Sequence, residues 1–276
     1  MDPNALGSNE AILIGVVRAI AVDGNGQPIT FSQTSLNGSY VFSLVGITSN
    51  GHASAAVGKF SSQSIFGQTS GSVTGLFDSN DGGSVPSNLP TPFGAPTGPA
   101  NFSIKSLGRG TLSIFITNSA GISVTYSFIF YLGSPSFGFI LEQPANDGSK
   151  RGRSGPFVQQ IAVPPFAVSG INGTLMGGTA VATAASMNGL VVLGLNGGSD
   201  NFGIFNGAED LESPGTVPTS GTFTVTDQND GRGTVTAPDA LLGSKTLAFY
   251  VVSSSEVVAL GIDSTNSLPL VVTLDE

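Results

Sequence analysis

His52 is the only imidazole from which a Ser-His-Asp triad or a histidine-based metal site could be built. It stands in Ser49-Asn50-Gly51-His52, and the Asn-Gly step marks a hairpin, so a turn residue is expected there. Three other constellations hold reactive types. Asp78-Ser79-Asn80-Asp81-Gly82 is echoed by Asp227-Gln228-Asn229-Asp230-Gly231. Such turns can hold calcium through roughly six to eight oxygens, but the EF-hand spacing is missing, and Asp or Asn before Gly equally builds plain turns. Glu209, Asp210 and Glu212 form the densest acidic cluster. Paired carboxylates do acid–base work only in a cleft, and a glycosidase cleft would normally add Trp or Tyr platforms. With no Trp and four Tyr in the chain, a solvated loop is expected. Lys150-Arg151-Gly152-Arg153 gathers three of the nine basic residues and reads as a solvated turn, or as a loop facing an acidic neighbour. None of these completes a catalytic set, so no enzyme activity, cofactor or metal is expected.

Composition narrows the classes further. The chain has no Cys, which excludes disulfides, thiolate metal sites and Cys nucleophiles. Net charge is −9, with four basic and six acidic residues in 1–145 and five and twelve in 146–276. Nucleic acid is therefore not an expected partner, because phosphate binding needs clustered Lys and Arg. No apolar run of about 20 residues is present, so no transmembrane helix is expected. Charged residues make up only 10% of the chain. A surface so poor in like-charge repulsion favours self-association, which makes a homo-oligomer or filament the expected partner state.

The elements that must carry these residues are strands. The 39 Gly and 16 Pro, with many β-branched residues and Phe, suit short strands joined by tight turns, and helical periodicity is scarce. The chain also repeats itself. Asn37-Gly38-Ser39 recurs as Asn172-Gly173-Thr174, Gly83-Ser84-Val85-Pro86 as Gly215-Thr216-Val217-Pro218, Gly108-Arg109-Gly110-Thr111 as Gly231-Arg232-Gly233-Thr234, and Phe130-Tyr131 as Phe249-Tyr250. Four matches in one order define two tandem copies. The division expected is an N-terminal strand segment, 1–34, and two repeats, 35–162 and 163–276. About eight alternating runs fill each copy, from Tyr40–Ile47 to Pro156–Ile161 and from Thr174–Ala182 to Pro269–Leu274. Short strands without helical crossovers pair antiparallel, so the fold class expected is all-β, two tandem antiparallel barrels or sandwiches.

Leu36-Asn37-Gly38-Ser39-Tyr40-Val41-Phe42-Ser43-Leu44, the later Asp78–Val85 run and Gly108-Arg109-Gly110-Thr111-Leu112 resemble the repeat of secreted or lipid-anchored β-rich proteins abundant in acidobacteria. The resemblance covers most of copy one and, more faintly, copy two. It implies an exported tandem β-barrel protein and brings neither an activity nor catalytic residues. Copy two departs from it where Thr174-Leu175-Met176-Gly177-Gly178 replaces the aromatic first strand.

Two segments stand out as interaction candidates. Pro86 to Pro99 holds five prolines and lengthens copy one by about nine residues. Pre-ordered Pro-rich loops dock at small entropic cost, which points to Pro90, Pro92 and Phe93, although a loop covering a barrel end explains them equally. The run Ala11–Val22 is apolar on both faces, with Ile12, Ile14, Val16, Arg18, Ile20 and Val22 on one of them. Such a strand wants cover on both sides. Its place is inside its own chain, at the end of a preceding repeat, or, as a donor strand, on the sheet edge of another subunit. The acidic lead, Asp2 and Glu10, does not fit a signal peptide, so the chain reads as a mature or truncated form lacking its export signal. The function expected is a non-catalytic extracellular or cell-surface structural protein, assembling into filaments through residues 11–22. A lipocalin-like module for a small apolar ligand, an adhesin domain and an outer-membrane barrel are the alternatives.

Overall fold

Alternating runs parted by Gly turns satisfy their backbone groups by pairing with the next run. The computed structural model describes residues 21–48, 50–86, 89–94, 99–117, 123–143, 152–180, 189–198, 202–211, 215–241, 243–265 and 267–276. Copy one contains β1 (Gly38–Ile47), β2 (Ala53–Ser64), β3 (Gly71–Asp81), β4 (Thr91–Phe93), β5 (Ala100–Ile104), β6 (Arg109–Thr117), β7 (Ser123–Ser134), β8 (Phe137–Gln143) and β9 (Gly152–Gln159). Copy two contains β10 (Asn172–Ala180), β11 (Gly189–Gly197), β12 (Gly203–Leu211), β13 (Gly215–Asp227), β14 (Arg232–Leu241), β15 (Ser244–Ser253), β16 (Glu256–Gly261) and β17 (Val271–Asp275). All pairings are antiparallel. The first sheet closes through β1–β9 and β2–β3, the second through β10–β17. Both repeats are thus eight-stranded barrels, not sandwiches; in the first, the short β4 pairs with β3 alone among the described strands.

The strand surplus to eight is β4. Gly71 pairs Phe102 on β5 and Gly75 pairs Phe93 on β4, whereas in copy two Gly203 pairs Phe223 and Gly207 pairs Thr219 on the single strand β13. The Pro-rich insertion therefore breaks one long wall strand into two pieces. Proline removes a ladder donor, so the break falls where prolines cluster. Residues 11–20, expected as the extra strand, lie outside the described residues.

The interiors explain the glycines and phenylalanines together. A Cβ on Gly110 would sit 2.1 Å from the Phe130 ring, and one on Gly233 the same distance from Phe249. Gly71 with Phe102 and Gly203 with Phe223 repeat the arrangement. An eight-stranded barrel is just wide enough to be filled by side chains, and a ring lying across a neighbouring strand needs glycine beneath it. Each barrel is also entered in the same way. Phe31 packs beneath Gly108 and Phe166 beneath Gly231, and the amides of Ala21 and Ala162 donate to the carbonyls of Gly133 and Val252. Gly108 and Gly231 have φ of +78° and +73°, a left-handed bend that glycine alone adopts without strain.

Candidate functional site at the joint between the barrels

In most strands one face is buried and the other solvated, as in β11, where burial alternates. In β2 all eight residues from Ala53 to Phe60 are buried, and in β15 all six from Leu247 to Val252. The reason is that the outer face of β1–β3 packs on the outer face of β15–β17. Val41, Ala55, Val57 and Leu76 meet Tyr250, Val252, Val258, Leu260 and Val271 in an apolar cluster separate from both barrel interiors.

Polar groups cross this cluster with full pairing. Asp78 projects from β3 and is completely buried. Its Oδ1 accepts from Arg232 Nη2 at 2.8 Å, and its Oδ2 from Arg232 Nε at 2.8 Å and Tyr250 Oη at 2.7 Å. Arg232 Nη1 donates to Thr226 Oγ1 at 2.9 Å. Burial, reinforced by the Asp78 charge, pushes the Tyr250 phenol well above its ordinary pKa. Burial works against the Arg232 cation, but the hydrogen bond and charge of Asp78 outweigh it and hold the guanidinium more firmly charged. At the rim, Lys59 Nζ lies 2.5 Å from Asp230 Oδ1, and Asn80 Nδ2 donates to the Gly261 carbonyl at 3.1 Å. The Gln160 side-chain amide ties the connecting segment to the carbonyls of Asp230 and Val251.

A second buried charge pair lies inside the first barrel. Arg153 Nε is 2.5 Å from Glu142 Oε2, Arg153 Nη1 is 3.8 Å from Asp81 Oδ1, and the Ser54 hydroxyl donates to Asp81. Little room adjoins it, since the cavity bordered by Arg153 is about 20 Å³. The cavity within the second barrel is about 40 Å³ and wholly apolar, walled by Phe205, Phe223, Phe249, Leu193 and their neighbours. That is space on the order of a few water molecules, far from the ~300–1,000 Å³ of small-molecule sites.

Several sequence-predicted residues stand elsewhere than the sequence suggests. Asp78 is not in a turn: β3 continues through it because the second barrel covers its outer face. The echoing segment at Asp227 is the expected turn, the Asp227 carboxylate accepting from the amides of Asn229 and Asp230. The densest acidic cluster is not a loop either. Glu209 and Asp210 lie on β12, one buried and one exposed, while Glu212 lies outside the described residues. Arg153 is not solvated but buried; Lys150 and Arg151 lie outside the described residues. His52 closes the β1–β2 hairpin, as read, its amide donating to Thr48 Oγ1 at 3.2 Å. Phe93 points into the first barrel's core against Phe77, leaving Pro92 exposed and Pro90 half-buried beside it. Val22 bridges Pro28 in its own chain; Ile12, Ile14, Val16, Arg18 and Ile20 lie outside the described residues. Sequence reasoning missed Arg232 and Tyr250 as partners of Asp78. The signal was the unbroken apolar run around Tyr250, which alternation for a one-faced strand does not allow. Among the described residues, no three His, Asp or Glu stand together as a metal site, and no helix is long and apolar enough to cross a membrane.

No family model matches the sequence, and no curated protein matches it. Among solved structures, kievitone hydratase from Nectria haematococca covers 93% of this chain and 96% of that chain, at 9% identity and a TM-score of 0.28, a likeness too low to carry an argument about activity.

Proposed function

We propose that this chain is a non-catalytic structural protein, exported to the cell surface, in which two filled barrels are locked into one rigid unit. The observation that carries this reading is the joint. Its buried polar groups pair with one another rather than facing a cavity, and the spaces in both barrels are too small for a substrate. Export is supported by the resemblance of residues 36–44 and 108–112 to exported repeat proteins, and by a composition poor in charged residues, which make up 10% of the chain. Assembly through residues 11–22 rests on their two-faced apolar pattern. The test is native mass spectrometry of the purified chain, paired with antibody labelling of intact cells that produce it. The expected result is the bare polypeptide mass and surface labelling. A stoichiometric co-purified small molecule, or protein confined to the cell interior, would overturn the reading.

A further inference from the structure

The joint uses two different faces, one from each barrel, and because the barrels are copies, each barrel also carries the face it does not use. We propose that these two faces dock on each other between molecules, so that the β10–β12 face of one copy sits on the β6–β8 face of the next, the counterpart of β14–β16. Strand β9, the counterpart of β17, is already partly covered by the joint through Val158. This inference goes beyond the structural reading above and makes no use of residues 11–22.

Strand register fixes the equivalences. Val57 lies beside Asp78 and Lys59 beside Leu76 in barrel one; Leu190 lies beside Asp210 and Val192 beside Ala208 in barrel two. On the other face, Arg232 stands opposite Tyr250, as Arg109 stands opposite Tyr131. Ala248 stands opposite Leu260, as Ile129 stands opposite Leu141. The complete Asp–Arg–Tyr set of the joint is therefore present a second time, divided between the two outer faces: Asp210 on one, Arg109 and Tyr131 on the other. Tyr250 is wholly buried, whereas its counterpart Tyr131 is 54% exposed.

A second correspondence is harder to explain for two bare surfaces. Lys59 pairs with Asp230 at the rim of the joint. Their counterparts are Val192, by register, and Leu107, which precedes Gly108-Arg109 as Asp230 precedes Gly231-Arg232. Both members are charged at the joint and apolar on the outer faces, and both of the apolar ones are exposed, Leu107 at 81%. Changing one alone would leave a buried unpaired charge in the docked state; changing both leaves an apolar contact. Leu190 at 63% and Leu141 at 45% complete two exposed apolar patches that match in chemistry. The two patches differ and lie on different barrels, so each copy can engage two others. A head-to-tail contact of this kind builds a ring where its rotation closes and an open filament where it does not.

The experiment is sedimentation velocity of the full chain over a rising concentration series, with Leu190→Lys and Leu141→Lys as variants. Both sites are exposed, so each variant should keep the wild-type melting temperature. The expected result is wild-type association beyond the dimer, monomers for each variant alone, and a dimer that grows no further when the two variants are mixed, since each retains one intact face. A wild-type chain that stays monomeric at millimolar concentration overturns the proposal. So does association that survives either substitution, or a mixture that fails to pair. If association survives both substitutions and disappears on removal of residues 1–20, strand addition is the mechanism and this one is wrong.

Discussion

Replacing Asp78 by Asn tests whether the joint is dry and shared by both barrels. The carboxylate is fully buried and accepts three hydrogen bonds, two from Arg232 and one from Tyr250. Asn keeps the shape but removes the charge, and in either amide orientation it turns its NH2 group toward a guanidinium N–H, which can only donate. Arg232, itself 6% exposed, is left as an uncompensated buried cation. Breaking a buried pair in this way costs about 3–5 kcal/mol. At about 1.4 kcal/mol per tenfold, the folding equilibrium falls by roughly two to four orders of magnitude. With a urea slope on the order of 3 kcal/mol/M, the midpoint drops by about 1–2 M. The assay is equilibrium urea unfolding followed by far-UV circular dichroism. The triple variant Asp78→Leu, Arg232→Met, Tyr250→Phe is the control, because replacing every partner by apolar groups of similar size restores most of the loss. A cost below about 1 kcal/mol for Asp78→Asn would mean that water reaches the network and the joint is loose. A triple variant as unstable as the single one would show that ion pairing itself, not the avoidance of an orphaned charge, holds the barrels together.

Two further outcomes follow from the same structure. Leu260→Ala, at a fully buried joint position, should cost about 2–5 kcal/mol, whereas Leu141→Ala at the equivalent exposed position should stay within about 0.5 kcal/mol in the monomer; thermal melts at low concentration compare them. Stability should also fall in alkali. Burial raises the Tyr40 phenol to about 12 and pushes Tyr250 well above its usual value of 10.0. The folded state thus holds these protons more tightly than the unfolded state, so the stabilisation is complete below pH 10 and is lost as pH rises from there through about 12. Urea midpoints taken across that window should decline more gently for Tyr40→Phe than for wild type, and parallel slopes would refute the assignment.

The sequence by itself determined the fold class, the number of repeats and most strands, because those depend on local rules. Alternating runs such as Thr111–Thr117 and the Gly-Arg-Gly bends predict the elements, and the structure places Gly110 under Phe130 and Gly233 under Phe249 in matching register. Barrel closure was only one of two options from the sequence, since β1–β9 and β10–β17 pairing joins segments far apart in the chain. The split of one wall strand into β4 and β5 was hidden for a related reason. A proline-rich insertion looks like a loop until Phe93 is seen filling the same wall as Thr219. The site was the least legible part. Asp78 sits in a run that reads as a turn, and its partners Arg232 and Tyr250 come more than 150 residues later. Nothing local distinguishes Asp78 from Asp210, nor Arg232 from Arg109. Only the docking of one barrel on the other buries the first of each pair and leaves the second at the surface.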